Sequence, residues 1–547
     1  MGPLLFPPLP PPPPAVSSGS AAAPLPPLRF DFGQPPRLDE QPRAGVGVPT
    51  RYIEELQRKD ALHVWHPMTQ QRGRVPPAAV HAAHGSTLYS LDGSTKLDAM
   101  GGLWCVNVGY GREELARVAY DAMVQLPFLS PVHGSVPQIE LAAKISALLD
   151  WGAPAHAFFT ASGSEANEAA FKIARQFHAS NGARDPAGPL RYKVLSRHRA
   201  YHGNTAGALA ATGQADRKTG SGPQAPSYVK VRTPYPYRSD SATHGLDLAR
   251  ELDETIRMEG AETVAAFIVE PITSGGGILV PPETYLQAVR EVCDDHGVLL
   301  ILDEVVSGFG RTGAMFGHHH YGVIPDIVTL AKGLTSGYQP LGACVVSDRV
   351  FANFRDDVPG SAMPSHLAHL RSINTYGGHP VACAVALRNL EIIERERLVD
   401  RARDVGAFLM RTLEEAVGSH GLVGEVRGRG LLVGVELVAD KASKTPLDDV
   451  ACAAVVKRCA DAGVIVGATR QRFRAWATCS SWRRPSLSRS TSACASPRRF
   501  GGRWTHDPPP ITTPPRVPVS INTCTYMTSK QRRVLHRNKK QPAGCRD

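Results

Sequence analysis

The segment from Ala265 to Glu304, "AAFIVEPITSGGGILVPPETYLQAVREVCDDHGVLLILDE", contains the pattern that decides the fold. Two short apolar runs, "AAFIV" and "VLLIL", stand on either side of a stretch with helical composition, "PPETYLQAVREVCDDHG". A strand, a helix and a second strand in this order are typical of a crossover unit in a mostly parallel sheet. Ligand sites in such sheets lie outside the carboxyl ends of the strands. Both runs end there in a carboxylate, Glu270 and Asp303.

The same alternation continues on both sides, from Tyr52 to Gly467, and it predicts an α/β fold. The chain has 547 residues, of which 42% are hydrophobic and 20% are charged, values typical of a soluble globular protein with a large core. Its ten cysteines show neither CxxC pairs nor regular spacing, so they indicate neither a metal site nor a disulfide framework. No signal-peptide pattern and no run of about 18 apolar residues is present, so we expect a cytoplasmic protein without a membrane segment.

Both ends of the chain differ from this body in composition. Residues 1–48 are proline-rich ("PPLPPPPP") and predict a disordered extension. Residues 468–547 hold 17 Lys and Arg but two acidic residues, so the net charge of +11 comes from this tail. The tail has no amphipathic period, and we expect no packed domain in it. Its tryptophans among basic residues would suit nucleic acid, but no folded module accompanies them, so nucleic acid is not favoured as a partner.

The stretch "FFTASGSEANEAAFKIARQF", residues 158–177, predicts an anion site. An apolar strand end leads through Ser162, Gly163 and Ser164 into a helix that begins at once with Glu165. The free backbone N–H groups and the positive end of such a helix favour an anion such as a phosphate. The alternative is that Ser164 only caps the helix.

Three further groups carry side chains that suit a cofactor. Asp303 could neutralise a cationic ring nitrogen, ligate a metal, act as a base or only cap the next turn. Tyr201, which precedes His202 after the apparent strand "YKVLSRHRA", could stack on a planar cofactor, although a buried tyrosine with a satisfied hydroxyl is commoner. Lys332 is the single lysine of "VTLAKGLTSGYQPLGA", residues 328–343, and alone it would be interpreted as a lysine whose amine reaches solvent. Together with the phosphate loop, these groups suit pyridoxal phosphate, which needs a lysine for a Schiff base and a carboxylate for its ring nitrogen.

Seven motifs follow one another between Val64 and Gly467: "GGLWCVNVGYGR", "SGSEANEAAFK", "AYHGNT", "FIVEPITSGGGILVPP", "LILDEVVSGFGRTG", "PDIVTLAKGLTSGY" and "NTYGGHPVACAVAL". In content and order they resemble the class III (omega) aminotransferases, pyridoxal-phosphate enzymes of fold type I. "HPMTQ", "WCVNVGYGR" and "EPITSGGGILVPP" are similar to the taurine–pyruvate and beta-alanine–pyruvate branch. The resemblance implies a large domain with a mainly parallel seven-stranded sheet and a smaller α+β domain formed by the N- and C-terminal segments.

The resemblance also implies roles for individual residues, with Lys332 as the catalytic lysine and no metal. The implied cofactor-binding residues are Gly163 and Ser164 at the phosphate, Tyr201 and Val305 on the two ring faces, His202 beside Tyr201, Glu270 near the cofactor hydroxyl, Asp303 at the ring nitrogen, and Lys332. Thr375 would reach the phosphate of the neighbouring subunit, which makes a homodimer with shared active sites the expected form. Trp104 would line the substrate pocket.

The implied reaction moves an amino group from an omega-amino acid or amine, such as taurine or beta-alanine, to a keto acid, with pyruvate as the expected acceptor. The two half-reactions would follow each other in ping-pong order. Diamines and adenosylmethionine-type amines remain alternative donors. The implied domains are the N-terminal part of the small domain in residues 49–105, the large cofactor-binding domain in 106–379, and an incomplete C-terminal small domain in 380–467.

The sequence departs from the family pattern after Gly467. Family members continue into a strand with an "SPPL"-like turn and a final amphipathic helix, and this region often supplies an arginine for the substrate carboxylate. This chain continues instead with "ATRQRFRAWATCSSWRRPS". We interpret the change as a shift of reading frame, with a natural basic tail as the alternative. We therefore expect poor solubility or weak activity, and an inactive relative with a structural role remains a competing hypothesis.

Overall fold

The structure is a computed structural model that describes residues 48–182, 190–355 and 368–469. The predicted extension before residue 48 and the basic tail from residue 470 onward therefore lie outside the described residues. The chain divides into two compact units, residues 1–82 with 89–94 and residues 83–88 with 95–547, and each is described by itself. The domain boundaries implied by the sequence stay predictions.

The first unit contains helix α1, Thr50–His63, which has no buried residue. Polar bonds connect this helix to the chain that follows it. Arg74 Nη1 donates to Asp60 Oδ1 at 2.8 Å, and Gln57 Nε2 donates to the carbonyl oxygen of Pro76 at 2.7 Å. This helix is therefore held by side-chain hydrogen bonds rather than by buried apolar side chains.

The other elements follow in chain order. The helices are α2 (Gly101–Trp104), α3 (Glu113–Gln125), α4 (Val136–Leu149), α5 (Gly163–Gly182), α6 (Ala206–Ala211), α7 (His244–Glu259), α8 (Tyr285–His296), α9 (Asp348–Phe351), α10 (Pro380–Arg395), α11 (Leu398–Val417) and α12 (Asp449–Asp461). The strands are β1 (Val80–His84), β2 (Thr87–Ser90), β3 (Thr95–Asp98), β4 (Ala155–Thr160), β5 (Lys193–Arg197), β6 (Tyr228–Val231), β7 (Val264–Val269), β8 (Leu299–Asp303), β9 (Ile327–Leu330), β10 (Gly342–Ser347), β11 (Val423–Arg429), β12 (Leu432–Asp440), β13 (Thr445–Pro446) and β14 (Val464–Ile465).

The second unit is organised around a seven-stranded sheet with the strand order β4-β10-β9-β8-β7-β5-β6. Strand β10 is antiparallel to both of its neighbours, β4 and β9. The remaining neighbours pair in parallel. The segment 265–304 forms the predicted crossover unit, since β7 and β8 are adjacent, parallel and connected through α8. The mainly parallel seven-stranded sheet is confirmed.

The central strands are buried on both faces, as their continuous apolar sequences predict. Successive side chains of a strand point to opposite faces, so they enter different parts of the core. Phe267 and Val269 belong to one apolar cluster together with residues of α3, α4, α7, α8 and α10. Ala266 and Ile268 belong to another cluster together with residues of α5 and α9. Helices therefore cover both faces of the sheet and leave its strand ends to form the site.

Outside the large sheet, β11 and β12 form an antiparallel pair with Val426 opposite Val435, and β13 pairs with β12. The two-residue strand β14 pairs in parallel with β3. In the part of the chain that the structure describes, no helix is both long enough and apolar enough to cross a membrane.

Candidate active site

Six strands of the large sheet end on one edge, because β5, β6, β7, β8 and β9 are parallel and β4 shares the antiparallel neighbour β10 with β9, and five of these strand ends lead into predicted site residues. The predicted site residues follow these strand ends. They are Gly163 and Ser164 after β4, Tyr201 and His202 after β5, Glu270 after β7, Asp303 and Val305 at the end of β8, and Lys332 after β9. Topology therefore brings to one edge residues that are far apart in sequence.

Lys332 lies half-buried at the start of a short 3₁₀ helix, Lys332–Leu334, and its backbone adopts the left-handed region with a φ of +45°. Asn389 fixes this segment, because its Nδ2 atom donates to the carbonyl oxygens of Gly333 at 2.8 Å and Leu334 at 3.0 Å. A Cβ atom at Gly333 would clash with the amide of Asn107. The glycine after the lysine is therefore required by the close approach of a neighbouring side chain.

Asp303 is a buried carboxylate that accepts three hydrogen bonds. Its Oδ2 atom accepts from His202 Nδ1 at 2.8 Å and from Asn167 Nδ2 at 2.9 Å. Its Oδ1 atom accepts from the backbone N–H of Val305 at 3.1 Å. Because a carboxylate can only accept, Nδ1 of His202 is the donor in their bond. This arrangement fixes the carboxylate at the strand end, where it can face a cationic group.

Asn167 is a site residue that the sequence analysis missed. It lies in α5, buried, and its Nδ2 atom also donates to the carbonyl oxygen of His202 at 2.6 Å. Its Oδ1 atom accepts from the hydroxyl of Thr329 at 2.8 Å. The signal in the sequence was a polar residue on the helical face that carries Ala170 and Ala174, which are both buried.

Glu270 is a second buried carboxylate, and it connects two loops of the site. Its Oε1 atom accepts from the backbone N–H of Tyr201 at 3.1 Å, and its Oε2 atom accepts from that of Ser274 at 2.9 Å. Burial raises the pKa of the Glu270 carboxyl. The guanidinium of Arg217 lies 5.3 Å from the ring centroid of Tyr201, within the range of a cation–π contact.

The first turn of α5 has the close packing that an anion cradle requires. A Cβ atom at Gly163 would lie 2.9 Å from Val305 Cγ2 and 3.5 Å from Ala331 Cβ, the residue before the lysine. Ser164 Oγ accepts from the backbone N–H of Asn204 at 3.3 Å, and a Cβ atom at Gly203 would clash with this hydroxyl. The helix start, Val305 and the lysine loop therefore meet in one small space.

Trp104 and Thr375 lie in different surroundings. Trp104 is half-buried and packs against the apolar cluster of Ile272, Ile278 and Leu432. Thr375 is exposed, so its predicted reach to a neighbouring subunit stays a prediction. Its neighbour Asn374 donates from Nδ2 to Glu165 Oε2 at 2.8 Å, which connects this loop to the first turn of α5.

Glu304, although adjacent to Asp303, does not share its surroundings. Its Oε1 atom accepts from the backbone and ring nitrogens of His318, both at 2.8 Å, and Oε2 accepts from the backbone N–H of Gly317 at 2.9 Å. It therefore holds the turn around Gly317 rather than a ligand. Among the described residues, no group of three or more His, Cys, Asp or Glu side chains could hold a metal ion.

Comparisons with known proteins agree on one family. The family model for "Aminotransferase class-III" matches residues 68–478. An uncharacterized aminotransferase of Bacillus subtilis is 46% identical over 412 residues, which are 75% of this chain and 88% of that protein. A taurine–pyruvate aminotransferase of Bilophila wadsworthia is 41% identical over 424 residues, which are 77% of this chain and 90% of that protein. The crystal structure of an aminotransferase of Bacillus anthracis aligns with a TM-score of 0.72 at 44% identity, over 77% of this chain and 91% of that chain.

Proposed function

The chain belongs to the class III aminotransferases, and we propose that it moves an amino group from an omega-amino acid or amine to a keto acid with pyridoxal 5′-phosphate bound at Lys332. Class III aminotransferases use this cofactor, and the seven-stranded sheet is that of fold type I. The observation that carries the proposal is the meeting of the lysine loop, Val305 and the first turn of α5 around Gly163.

The residues present fit the cofactor. A Cβ atom at Gly163 or at Gly203 would fill the space next to Ser164 and Val305, so both glycines keep room for an anion at the helix start. Asp303 supplies a buried acceptor for a protonated ring nitrogen, and His202 with Asn167 fixes its orientation. We assign the phosphate to Gly163 and Ser164, the ring faces to Tyr201 and Val305, and the cofactor hydroxyl side to Glu270.

The chemistry divides between the cofactor and the protein. When bound, the cofactor supplies an electron sink for the carbon from which the proton leaves. Lys332 would hold the cofactor through its amine, and the same amine, once free, would move the proton between the donor carbon and the cofactor. Asp303 would hold the ring nitrogen in its protonated form. The same residues act in reverse order when the keto acid enters.

We propose taurine-like or beta-alanine-like donors and pyruvate as the acceptor, on the basis of the 41% identity to the taurine–pyruvate aminotransferase. The alternative is another class III donor, a diamine or an adenosylmethionine-type amine. A panel of these donors with pyruvate distinguishes them by the keto or aldehyde product that forms. Alanine formation with taurine or beta-alanine supports the proposal, whereas alanine formation with diamines alone would replace it with the alternative.

We propose that the active form is a homodimer whose interface includes an exposed apolar face of the second unit. Large exposed apolar patches mark sites of protein association. The exposed apolar side chains that we assign to this face are those of Tyr120, Met123, Val124, Phe128, Val132, Val136, Ile139, Ile373 and Tyr376. The ring of Phe128 lies 6.2 Å from that of Tyr376, so the face reaches the residue next to Thr375. This position supports the assignment of Thr375 to the cofactor phosphate of the neighbouring subunit.

A cytoplasmic location is proposed from the cysteines. The cysteines in the described ranges are all free. Burial raises the pKa of Cys293 and of Cys383 to about 12. Thiols with such pKa values remain protonated and unreactive, as suits a reducing compartment.

The decisive experiment is an absorbance spectrum of the purified chain after incubation with pyridoxal phosphate. The proposal expects a visible band from the lysine-bound cofactor, which Lys332→Ala abolishes. Lys457→Ala is the matched control, because Lys457 pairs with Asp461 on the exposed side of α12 and its loss leaves the band unchanged. A chain that binds no cofactor, or whose band survives Lys332→Ala, would support the inactive relative instead.

A further inference from the structure

The segment Gly101–Trp104 forms one turn of left-handed helix. The φ angles of its four residues are 58°, 58°, 63° and 61°. The backbone N–H of Trp104 donates to the carbonyl of Met100 at 2.9 Å, and that of Cys105 donates to the carbonyl of Gly101 at 2.8 Å. Left-handed helix is unfavourable for any residue with a Cβ atom, and here Leu103 and Trp104 both adopt it. Strain of this kind persists only where the surroundings hold it, and it concentrates at functional sites.

A single buried carboxylate, Asp98, holds the turn. Its Oδ1 atom accepts from the backbone N–H of Met100 at 3.1 Å. Its Oδ2 atom accepts from the backbone N–H of Gly102 at 2.6 Å and from the hydroxyl of Tyr110 at 2.8 Å. Bonds to a charged acceptor are the stronger class of hydrogen bond. A Cβ atom at Gly102 would lie 2.6 Å from Val106 Cγ2, so glycine is required there for space as well as for conformation.

The residues that directly follow the turn lie against the loop of Lys332. A Cβ atom at Gly337 would lie 3.4 Å from Cys105 Cβ, and one at Gly333 would clash with Asn107. The indole of Trp104 packs against the apolar cluster of Ile272, Ile278 and Leu432, of which the first two belong to the segment after Glu270. The turn therefore extends between the lysine loop and the segment that follows β7.

We propose that Asp98 is a positioning residue of the transamination: it holds the left-handed turn Gly101–Trp104 and thereby sets the position of the Trp104 indole. The resemblance assigns this indole to the substrate pocket, where its position would limit the bulk of the amine donor. The inference rests on the proposed function. In Asp98→Asn, one carboxylate oxygen becomes an NH₂ group, so the side chain can no longer accept from Met100 at one atom and from Gly102 and Tyr110 at the other. The strained turn then relaxes and the indole leaves its position.

The test compares two donors, beta-alanine as the compact one and 1-phenylethylamine as the bulky one, with pyruvate and saturating pyridoxal phosphate. For Asp98→Asn we expect the kcat/KM ratio of the bulky to the compact donor to rise about tenfold, mainly through KM. The absorbance band of the bound cofactor is expected to stay unchanged. Asp440→Asn is the matched control, since Asp440, the last residue of β12, accepts hydrogen bonds from Ser443 and Ala442 in the turn that follows it. Its kcat/KM ratio of the bulky to the compact donor is expected to equal that of the wild type.

Two further variants keep the inference testable if Asp98→Asn does not fold. Tyr110→Phe removes one hydroxyl that hydrogen-bonds to the carboxylate of Asp98. It is expected to shift the kcat/KM ratio of the two amine donors in the same direction by a smaller factor. Leu103→Gly removes the conformational strain from one position of the turn, so adding it to Asp98→Asn is expected to restore part of the wild-type ratio. A merely structural role of Asp98 would not produce this rescue.

The inference and the proposed function fail in different ways. A wild-type chain without a cofactor band or alanine formation overturns the proposed function. The inference alone is overturned if the wild-type chain transaminates and Asp98→Asn or Tyr110→Phe lowers kcat/KM for both amine donors by the same factor. Loss of the cofactor band in Tyr110→Phe also overturns it, because the effect would then lie in cofactor binding rather than in donor selection.

Discussion

The side-chain amide nitrogen of Asn167 lies 2.9 Å from Oδ2 of Asp303, and both residues are buried. Because this nitrogen also donates to the carbonyl of His202, both of its partners are acceptors and the orientation of the amide is determined. The hydroxyl of Thr329 donates to the amide oxygen at 2.8 Å and completes the set. An asparagine in the helix of the phosphate loop thus determines the direction of a carboxylate at the end of β8.

Asn167→Leu is therefore expected to weaken the binding of pyridoxal phosphate. Loss of a hydrogen bond to a charged group corresponds to ~1.5–3 kcal/mol, or about 10- to 150-fold in affinity. Titration of the cofactor-free chain with pyridoxal phosphate, followed by absorbance, measures the change in Kd.

Thr329→Val is the companion variant, since it removes only the hydroxyl that holds the amide oxygen of Asn167. We expect it to lower the affinity in the same direction by a smaller factor. An unchanged Kd in Asn167→Leu would show that His202 and Val305 hold Asp303 without the amide.

Gly163→Ala is expected to reduce cofactor binding, because the new methyl group would lie 2.9 Å from Val305 Cγ2. Overpacking of this kind typically costs ~1–3 kcal/mol in a well-packed region. Val305→Ala removes the opposing methyl groups, so the double variant is expected to bind the cofactor more tightly than Gly163→Ala alone. The coupling follows from Kd values of the four chains in a double-mutant cycle. If the two effects simply add, the contact does not shape the cradle.

The sequence could predict the edge on which the site lies but not the contacts inside it. Apolar runs and the rules of parallel sheets were sufficient to align Glu270 and Asp303 at one edge, and Lys332 was joined to them through the needs of the cofactor and the family resemblance. The bond between Asn167 and Asp303 joins residues 136 positions apart, so only the packing of α5 on the sheet reveals it. The sequence did not reveal the left-handed turn either. The glycines of "GGLW" permit this conformation, but the hydrogen bonds to the carboxylate of Asp98 hold it, and these are visible only in the structure. The roles of Trp104 and Thr375 still rest on the family resemblance.

The proposed dimer interface predicts that a charge on the apolar face separates the subunits. Val124→Asp places a carboxylate on this face, where Val124 is 71% exposed. Burial of an unpaired charge at an interface is strongly unfavourable, so we expect a monomer in sedimentation or light-scattering measurements. The cofactor affinity is expected to fall with the loss of Thr375 from the neighbouring subunit.

Val450→Asp is the control for this prediction, because Val450 is 80% exposed at the start of α12, outside the apolar face. It is expected to retain the wild-type mass. If the Val124→Asp chain retains the mass of the wild-type dimer, the interface lies on another surface.

Removal of Lys230 is expected to stabilise the folded chain by an amount that depends on pH. Its ammonium donates to Ser196 Oγ at 2.8 Å and to the carbonyl of Ala210 at 2.7 Å, and Lys218 donates to the same carbonyl. Burial, with the charge of Lys218, lowers the pKa of Lys230 from 10.5 to about 7. Between these two values the unfolded chain binds a proton that the folded chain lacks, so the stability contribution of this lysine rises with pH. Below about pH 7 the folded chain carries the full cost of the buried charge.

Lys230→Met is therefore expected to raise the thermal midpoint at pH 6–7, by an amount that corresponds to ~1–2 kcal/mol. The advantage should shrink as the pH rises toward 10, where the wild-type lysine is mostly neutral and its two hydrogen bonds remain. Lys457→Met, which removes an exposed lysine on α12, is expected to show no such trend. If the difference in thermal midpoint between Lys230→Met and the wild type is constant from pH 6 to pH 10, the pKa of Lys230 is not lowered in the folded chain. In that case apolar packing by the methionine, rather than removal of a buried charge, would account for the gain.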